Sequence, residues 1–347
     1  MGQNQPDAGL LRKKIRWGEI FIEKGIMGIA FLSIAFIVLI FIFVFREASP
    51  VFFSAHADRT PLEEVSGPET YGLDEDAAQL PQTLMPRENS ERKNVPLWKN
   101  ILGLEWQPVS LRPRFGITPI IVGTLKSSII AILISAPVGV FAALFAAMFA
   151  PKWAKEFIKP IVEILAGFPS VVIGFFALMV LASIMQSIFH YQFRLNALVG
   201  GIALSIAVVP IVFTISEDAL NAVPKSLVEA SLALGAHTWE TAIRVVLPAA
   251  TPGIFAAVLL GVGRAIGETM IALMVMGNAA LMSFNPVEPV RTMAATIGAE
   301  MAEVVFGDDH YVVLFFLGVV LFVFSFTLNV IAEVYIRQRL MKRFKGG

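Results

Sequence analysis

The residues best equipped for chemistry sit together in one otherwise apolar stretch, Gly261-Val262-Gly263-Arg264-Ala265-Ile266-Gly267-Glu268-Thr269. Arg264 and Glu268 are four positions apart, which on a continuous helix places them on one face. A guanidinium presents a planar fork of donors that grips an oxyanion through two parallel hydrogen bonds, a geometry that an ammonium lacks and a halide does not need. The expectation is that Arg264 lines a passage for an anion, with Glu268 orienting it and Thr269 adjoining. Gly263 and Gly267 form a small-xxx-small pair that lets a second helix or a ligand approach the backbone. The structural alternative is a buried Arg/Glu pair that only ties helices together, although arginine before glutamate is the weaker order for such a pair.

Other chemistries fall away on composition. There is no cysteine, so thiolate metal sites, iron–sulfur clusters and a thiol nucleophile are excluded together. His56, His190, His237 and His310 include no pair three or four residues apart, which reads as isolated polar histidines and no helical metal site. Ser170 and Ser205 lie in apolar runs without an intramembrane His or Asp to act as base, so an intramembrane hydrolase is a poor reading. No Gly-Lys dipeptide occurs, hence no Walker A loop to cradle ATP phosphates, and the chain reads as a non-enzyme. Charges cancel at 27 against 27, which removes a global case for nucleic-acid binding.

The elements that must position Arg264 are membrane helices. With 56% hydrophobic and only 16% charged residues, the balance is wrong for a soluble domain. A bilayer core of about 30 Å needs about 20 apolar residues, and residues 26–45 supply such a run without one charge. Five further candidate spans follow at about 117–149, 161–186, 197–216, 250–277 and 312–333. Pro137, Pro169 and Pro210 interrupt the second, third and fourth, where a cavity or neighbouring helices can satisfy the freed carbonyls. Lys126, in the second span, is expected to snorkel toward the interface. Lys and Arg accumulate on cytoplasmic flanks. The clusters at Arg12, Lys13, Lys14, Arg16 and Lys24, and at Arg337, Arg339, Lys342, Arg343 and Lys345, therefore place both termini inside.

Domain organisation follows: a basic N-terminus (1–25), a first helix (26–45) read as an uncleaved anchor, a polar extracytoplasmic loop (46–115), a five-helix core (116–333) and a basic tail (334–347). The loop carries eleven acids and eight bases, and its 56–96 portion is too poor in large apolar residues to offset chain entropy, so it reads as mostly irregular. Between the fourth and fifth spans, at about 224–248, Ser226 and Glu229 have capping-box spacing for a helix from Leu227. Gly235 can end that helix, and Thr238 can cap a second one with Glu240 in its first turn, before Pro248 opens the next span.

Within that element Glu229-Ala230, Gly235 and Leu247-Pro248 resemble the EAA loop of ABC-importer permeases, E-A-A-x3-G-x9-I-x-L-P, with Ser231 in the third position and Val245 in place of isoleucine. Phe45-Arg46-Glu47, Leu165-Ala166-Gly167-Phe168-Pro169-Ser170-Val171-Val172, Ser216-Glu217-Asp218-Ala219-Leu220 and Gly263 to Thr269 resemble the phosphate branch of that family, the PstC-type permeases, across about 26–55 and 100–345. The insertion at 56–96 lies outside the resemblance. The resemblance implies an all-α integral membrane protein of six transmembrane helices, with ABC type I importer permease architecture, in a bacterial cytoplasmic (inner) membrane. It implies that Glu229, Ala230, Gly235, Leu247 and Pro248 couple to an ATPase, and that Arg264, Glu268 and Thr269 lie on a phosphate pathway. The partners it implies are the second permease subunit PstA, two copies of the ATPase PstB, which bind ATP-Mg, and the periplasmic phosphate-binding protein PstS. No cofactor is expected in this chain. Sulfate or molybdate importers and the sister subunit PstA stay open as alternatives. So do a lone ion-gradient carrier, which would want inverted repeats with paired ionisable residues, and a membrane scaffold without flux.

Overall fold

The computed structural model describes residues 17–53, 100–110 and 113–331. The helices are α1 (Trp17–Ala48), α2 (Pro50–Phe53), α3 (Thr118–Met148), α4 (Lys152–Ala166), α5 (Ser170–Phe176), α6 (Ala182–Phe189), α7 (Ala197–Asn221), α8 (Lys225–Ala233), α9 (Thr238–Thr241), α10 (Leu247–Gly267), α11 (Met270–Val275), α12 (Met293–Glu300) and α13 (Asp309–Ile331). Two strands, β1 (Trp106–Gln107) and β2 (Arg114–Phe115), pair antiparallel. Six helical runs among the described residues are long and apolar enough to cross a membrane: Ile22–Phe52, Thr118–Met148, Ser170–Phe189, Ala197–Asn221, Thr238–Gly267 and Asp309–Ile331. The basic clusters at 12–16 and 337–345 and the insertion at 56–96 lie outside the described residues.

Two expected spans are redrawn. The third does not begin at 161: α4 is a separate amphipathic helix, and the chain breaks at Gly167-Phe168-Pro169, with Pro169 as the extended residue before α5. Proline forces that break because it disfavours helical backbone in the residue ahead of it. In α4, Ala154, Ile158 and Val162 face the bundle, Trp153, Phe157 and Ile161 face outward, and Lys155 donates to the Ala147 carbonyl at 3.0 Å. The fifth span does not reach 277. It starts earlier, at Thr238, and ends at Gly267. Pro137 and Pro210 lie inside α3 and α7, which continue past them.

Small residues set how closely the helices pack, as expected where lipid removes the hydrophobic drive between them. A Cβ on Gly139 would stand 2.9 Å from the Val212 side chain, and one on Gly261 would stand 2.9 Å from Val208, so α3, α7 and α10 meet backbone to side chain. Asn196 caps α7, its Oδ1 accepting from Val199 N–H at 3.0 Å and its Nδ2 donating to the Phe193 carbonyl at 2.7 Å. The next free N–H groups of that helix, Ala197 and Leu198, donate to the carbonyls of Glu288 and Pro286. Arg194 donates to the carbonyl of Leu178, inside the π-helical stretch Ala177–Leu181 that joins α5 to α6. At one end of the bundle the hairpin residues Trp106 and Phe115 pack with Val51, Ile101, Met293 and the first turns of α13. The described parts of the expected polar loop at 100–110 and 113–115 therefore form a cap packed on the bundle.

Candidate functional site

Arg264 lies in the last turn of α10 and is exposed on the face turned away from its own bundle, in a stripe with Leu260 and Gly267. A cation in the last turn is favoured by the helix dipole, which lowers the roughly 2.5–3.5 kcal/mol cost of a charge at membrane depth. The expected shared face with Glu268 is not formed. Glu268 has left the helix with φ −74° and ψ 122°, and among the described residues neither Arg264 nor Glu268 makes a hydrogen bond or ion pair. The helix ends at Gly267, and among the described residues nothing outside its own helix lies within 4 Å of where a Gly267 Cβ would be. Beside Gly263 only the Asn329 amide comes as near as 4.0 Å. The small-xxx-small surface is thus open among the described residues, and Arg264 and Glu268 do not form a paired unit there.

Thr269 and α11 continue the chain after the break, and α12 packs against it. A Cβ on Gly298 would stand 2.6 Å from the Thr269 methyl. α12 is pinned at its start, where buried Thr124 of α3 accepts from Met293 N–H at 2.9 Å and donates to the Ile120 carbonyl at 2.8 Å, and Thr292 Oγ1 accepts from Ala295 N–H. At its end Glu300 is only 13% exposed. A carboxylate at a helix C-terminus opposes the dipole, and donors from three other elements compensate it. Trp106 Nε1 donates to both carboxylate oxygens at 3.1 and 3.2 Å, Arg291 Nη1 donates to Oε1, and His310 Nε2 stands 2.9 Å from Oε2. Burial pushes the Glu300 pKa upward, but the hydrogen bonds from His310 and Trp106 and the charge of Arg291 outweigh it and hold the carboxyl below its ordinary value. Arg291 Nε also donates to the carbonyl and Oδ1 of Asn278 at 3.1 Å each. Lys126 does not reach for solvent; its ammonium donates to the carbonyls of Ser283 and Asn285 at 2.8 Å, because the 278–292 loop folds over that end of α3.

The expected two-helix element between α7 and α10 is present, with different caps. α8 starts two residues earlier than expected, after Pro224, so Ser226 is already helical and the Ser226/Glu229 box does not form. Gly235 ends the helix at φ +87°, with its N–H on the Leu232 carbonyl. His237 takes the capping place expected of Thr238, its N–H donating to Glu240 Oε2 at 3.0 Å, and Ser231 and Thr241 hydroxyls meet at 2.9 Å. Glu229, Ala230 and Gly235 are exposed, as are Leu234 (89%) and Trp239 (52%). Leu247 and Pro248 do not open a new helix: α9 runs through the π-helical stretch Ala242–Val246 into α10.

An all-α bundle with six membrane spans, a broken span carrying an outward-facing arginine and an exposed helical elbow on that same span defines a multi-pass membrane transport component. The chain belongs to the family of binding-protein-dependent transport system inner membrane components, which it matches over residues 137–341. It is 37% identical over 226 residues to the probable ABC transporter permease protein YqgH of Bacillus subtilis, covering 65% of this chain and 73% of that one. It is 37% identical over 257 residues to the phosphate transport system permease protein PstC of Mesorhizobium japonicum, covering 69% and 77%. The bacterial alginate ABC transporter crystallised with its alginate-bound periplasmic protein superimposes with a TM-score of 0.50 at 14% identity, over 64% of this chain and 78% of that one, and supports the fold alone.

Proposed function

We propose that this chain is the PstC-type permease subunit of an ATP-driven inorganic phosphate importer. In this reading it pairs with PstA, rests through Glu229, Ala230, Gly235, Leu247 and Pro248 on one of two PstB ATPases, which bind ATP-Mg, and receives phosphate from PstS. Both termini and the 224–248 element are cytoplasmic, and the hairpin end is extracytoplasmic. The observation that carries the reading is Arg264, exposed on the open face of α10 one turn from the break at Glu268, where a second subunit would close a path around it. Phosphate entering that path would replace water around the guanidinium with two parallel hydrogen bonds. Glu268, a residue away from the helix end, limits how tightly the anion is held, and the Thr269 hydroxyl offers a further donor. Closure of the ATPase pair would draw the 224–248 elements together and move the Thr238–Gly267 helix as one piece.

The test is radiolabelled phosphate, sulfate and molybdate uptake into proteoliposomes holding all four proteins, with and without ATP, for wild type and Arg264→Ala. ATP-dependent phosphate uptake that Arg264→Ala abolishes in an intact complex is expected. Preference for another oxyanion would reassign the substrate. Dissociation of the complex in Arg264→Ala would return Arg264 to a purely adhesive role.

A further inference from the structure

Glu300 lies outside the Arg264 stretch, yet the contacts that hold the far half of the broken span converge on it. Two routes lead there from the break. Thr269 packs against Gly298, two residues before Glu300 on the same short helix. α11 is followed, two residues after its end at Val275, by Gly277-Asn278, both in left-handed conformation (φ +78° and +51°). Asn278 is gripped through its carbonyl and side chain by Arg291, whose other nitrogen bonds Glu300. From Glu300 the connections continue to His310 at the start of α13 and to Trp106 of β1. Trp106 is itself buried and packed edge-on against Phe115 and His310. α11 is therefore tied to the hairpin and to α13. On the other side of the break the span itself, Thr238–Gly267, is continuous with the exposed 224–248 element and, among the described residues, has nothing packed at Gly267.

We propose that Glu300 is a positioning residue for transport: it anchors α11 to the extracytoplasmic frame, so that displacement of the 224–248 element is taken up by bending at Glu268–Thr269, beside Arg264. This rests on the transport reading above. Without the anchor, α11 would follow α10, and ATP-driven motion would move the span without changing the surroundings of Arg264. The charge of Glu300 matters more than its volume, because it accepts from three donors on three elements, and such charge-assisted bonds are the strong ones.

The test uses the complete complex. The chain has no cysteine, so pairs of introduced cysteines, with partner subunits freed of theirs, give single spin-label distances. One pair joins Val109 to Leu281, which reports the segment that leaves α11 through Asn278 against the hairpin; the other joins Val109 to Trp239, which reports the 224–248 element. All three positions are exposed. In wild type, trapping the ATPase with vanadate is expected to shift the 109–239 distance and leave 109–281 narrow and unchanged. In Glu300→Gln the 109–281 distribution broadens and shifts with trapping. Phosphate taken up per ATP hydrolysed falls about tenfold or more, the factor expected for one lost charge-assisted bond, at unchanged KM for phosphate. Glu300→Asp recovers part of the ratio. If Glu300→Gln does not assemble, His310→Phe, which removes one donor and keeps a ring against Trp106 and Phe115, is read in the same way.

A 109–281 distance that moves on trapping in wild type overturns the proposal. So does an unchanged distance and uptake ratio in the variant that assembles, or failure of both variants to assemble, which would make the cluster purely structural. The distances need no phosphate: a wild-type complex that transports another anion would refute the substrate assignment while the label pairs still decide the anchor.

Discussion

Thr124→Val isolates a single hydrogen bond at almost constant volume. Thr124 is 1% exposed, and its Oγ1 accepts from Met293 N–H at 2.9 Å while donating to the Ile120 carbonyl at 2.8 Å. In the variant the Ile120 carbonyl keeps its place in the α3 ladder, but the Met293 N–H, in the first turn of α12 and without an intrahelical acceptor, is orphaned beside fully buried Ile120 and Met293. An unpaired buried donor costs about 1–3 kcal/mol, which corresponds to an opening equilibrium larger by about 5–150-fold. Hydrogen exchange on the purified protein, followed by mass spectrometry of peptides covering 289–301, reads that factor directly. Thr124→Ser is the control, since it keeps the hydroxyl and gives up only a methyl group. Faster exchange in the valine variant than in the serine variant is expected. Equal protection in valine and wild type, or greater loss in serine than in valine, would show that packing and not this bond holds α12, and the placement of α12 against Thr269 would lose its support.

The remaining expectations concern the coupling element and acid pH. Gly235→Val places a branched side chain at φ +87°; with no atom within 4 Å of the new Cβ the cost is backbone strain alone, about 1–2 kcal/mol. The α8–α9 elbow should reorient, and co-purification of the ATPase should fall while the chain still inserts; normal co-purification and transport would count against this elbow as the ATPase contact. The lowered pKa of Glu300 means that its contribution is fully present above its unfolded value of about 4.3 and is lost as pH falls through the lower folded value. Exchange at 289–310 should therefore accelerate in the wild type only as pH falls below the ordinary carboxylate range, and a Glu300→Gln protein should lack that acid step.

What could be read from the sequence was whatever depends on local composition. The second, fourth and sixth spans lie close to the runs that apolar composition dictated, because an unbroken run of about 20 apolar residues has few alternatives in a bilayer. The failures share a cause: local signals were continued across breaks decided by tertiary contacts. Arg264 and Glu268 looked like neighbours on one helical face, but helix spacing holds only while the helix lasts, and this one ends at Gly267. The third span absorbed α4 because both are apolar, although Pro169 marked the boundary. The Glu300 cluster was beyond reach: Trp106 and Glu300 are 194 residues apart, and no periodicity relates them. Glu300, as an acid closing a short helix with Arg291 nine residues before and His310 ten after, was the one faint hint.

The unbroken Thr238–Gly267 helix is also a crank arm. Thirty residues at 1.5 Å each make a rod about 45 Å long, with the exposed α8–α9 elbow as its handle and the guanidinium close to its tip. Rotating such a rod by about 10° about its cytoplasmic end sweeps Arg264, about 39 Å away, through about 7 Å. That stroke is more than twice the length of a hydrogen bond of about 3 Å, so a modest turn at the handle is enough to break and remake every contact the guanidinium makes.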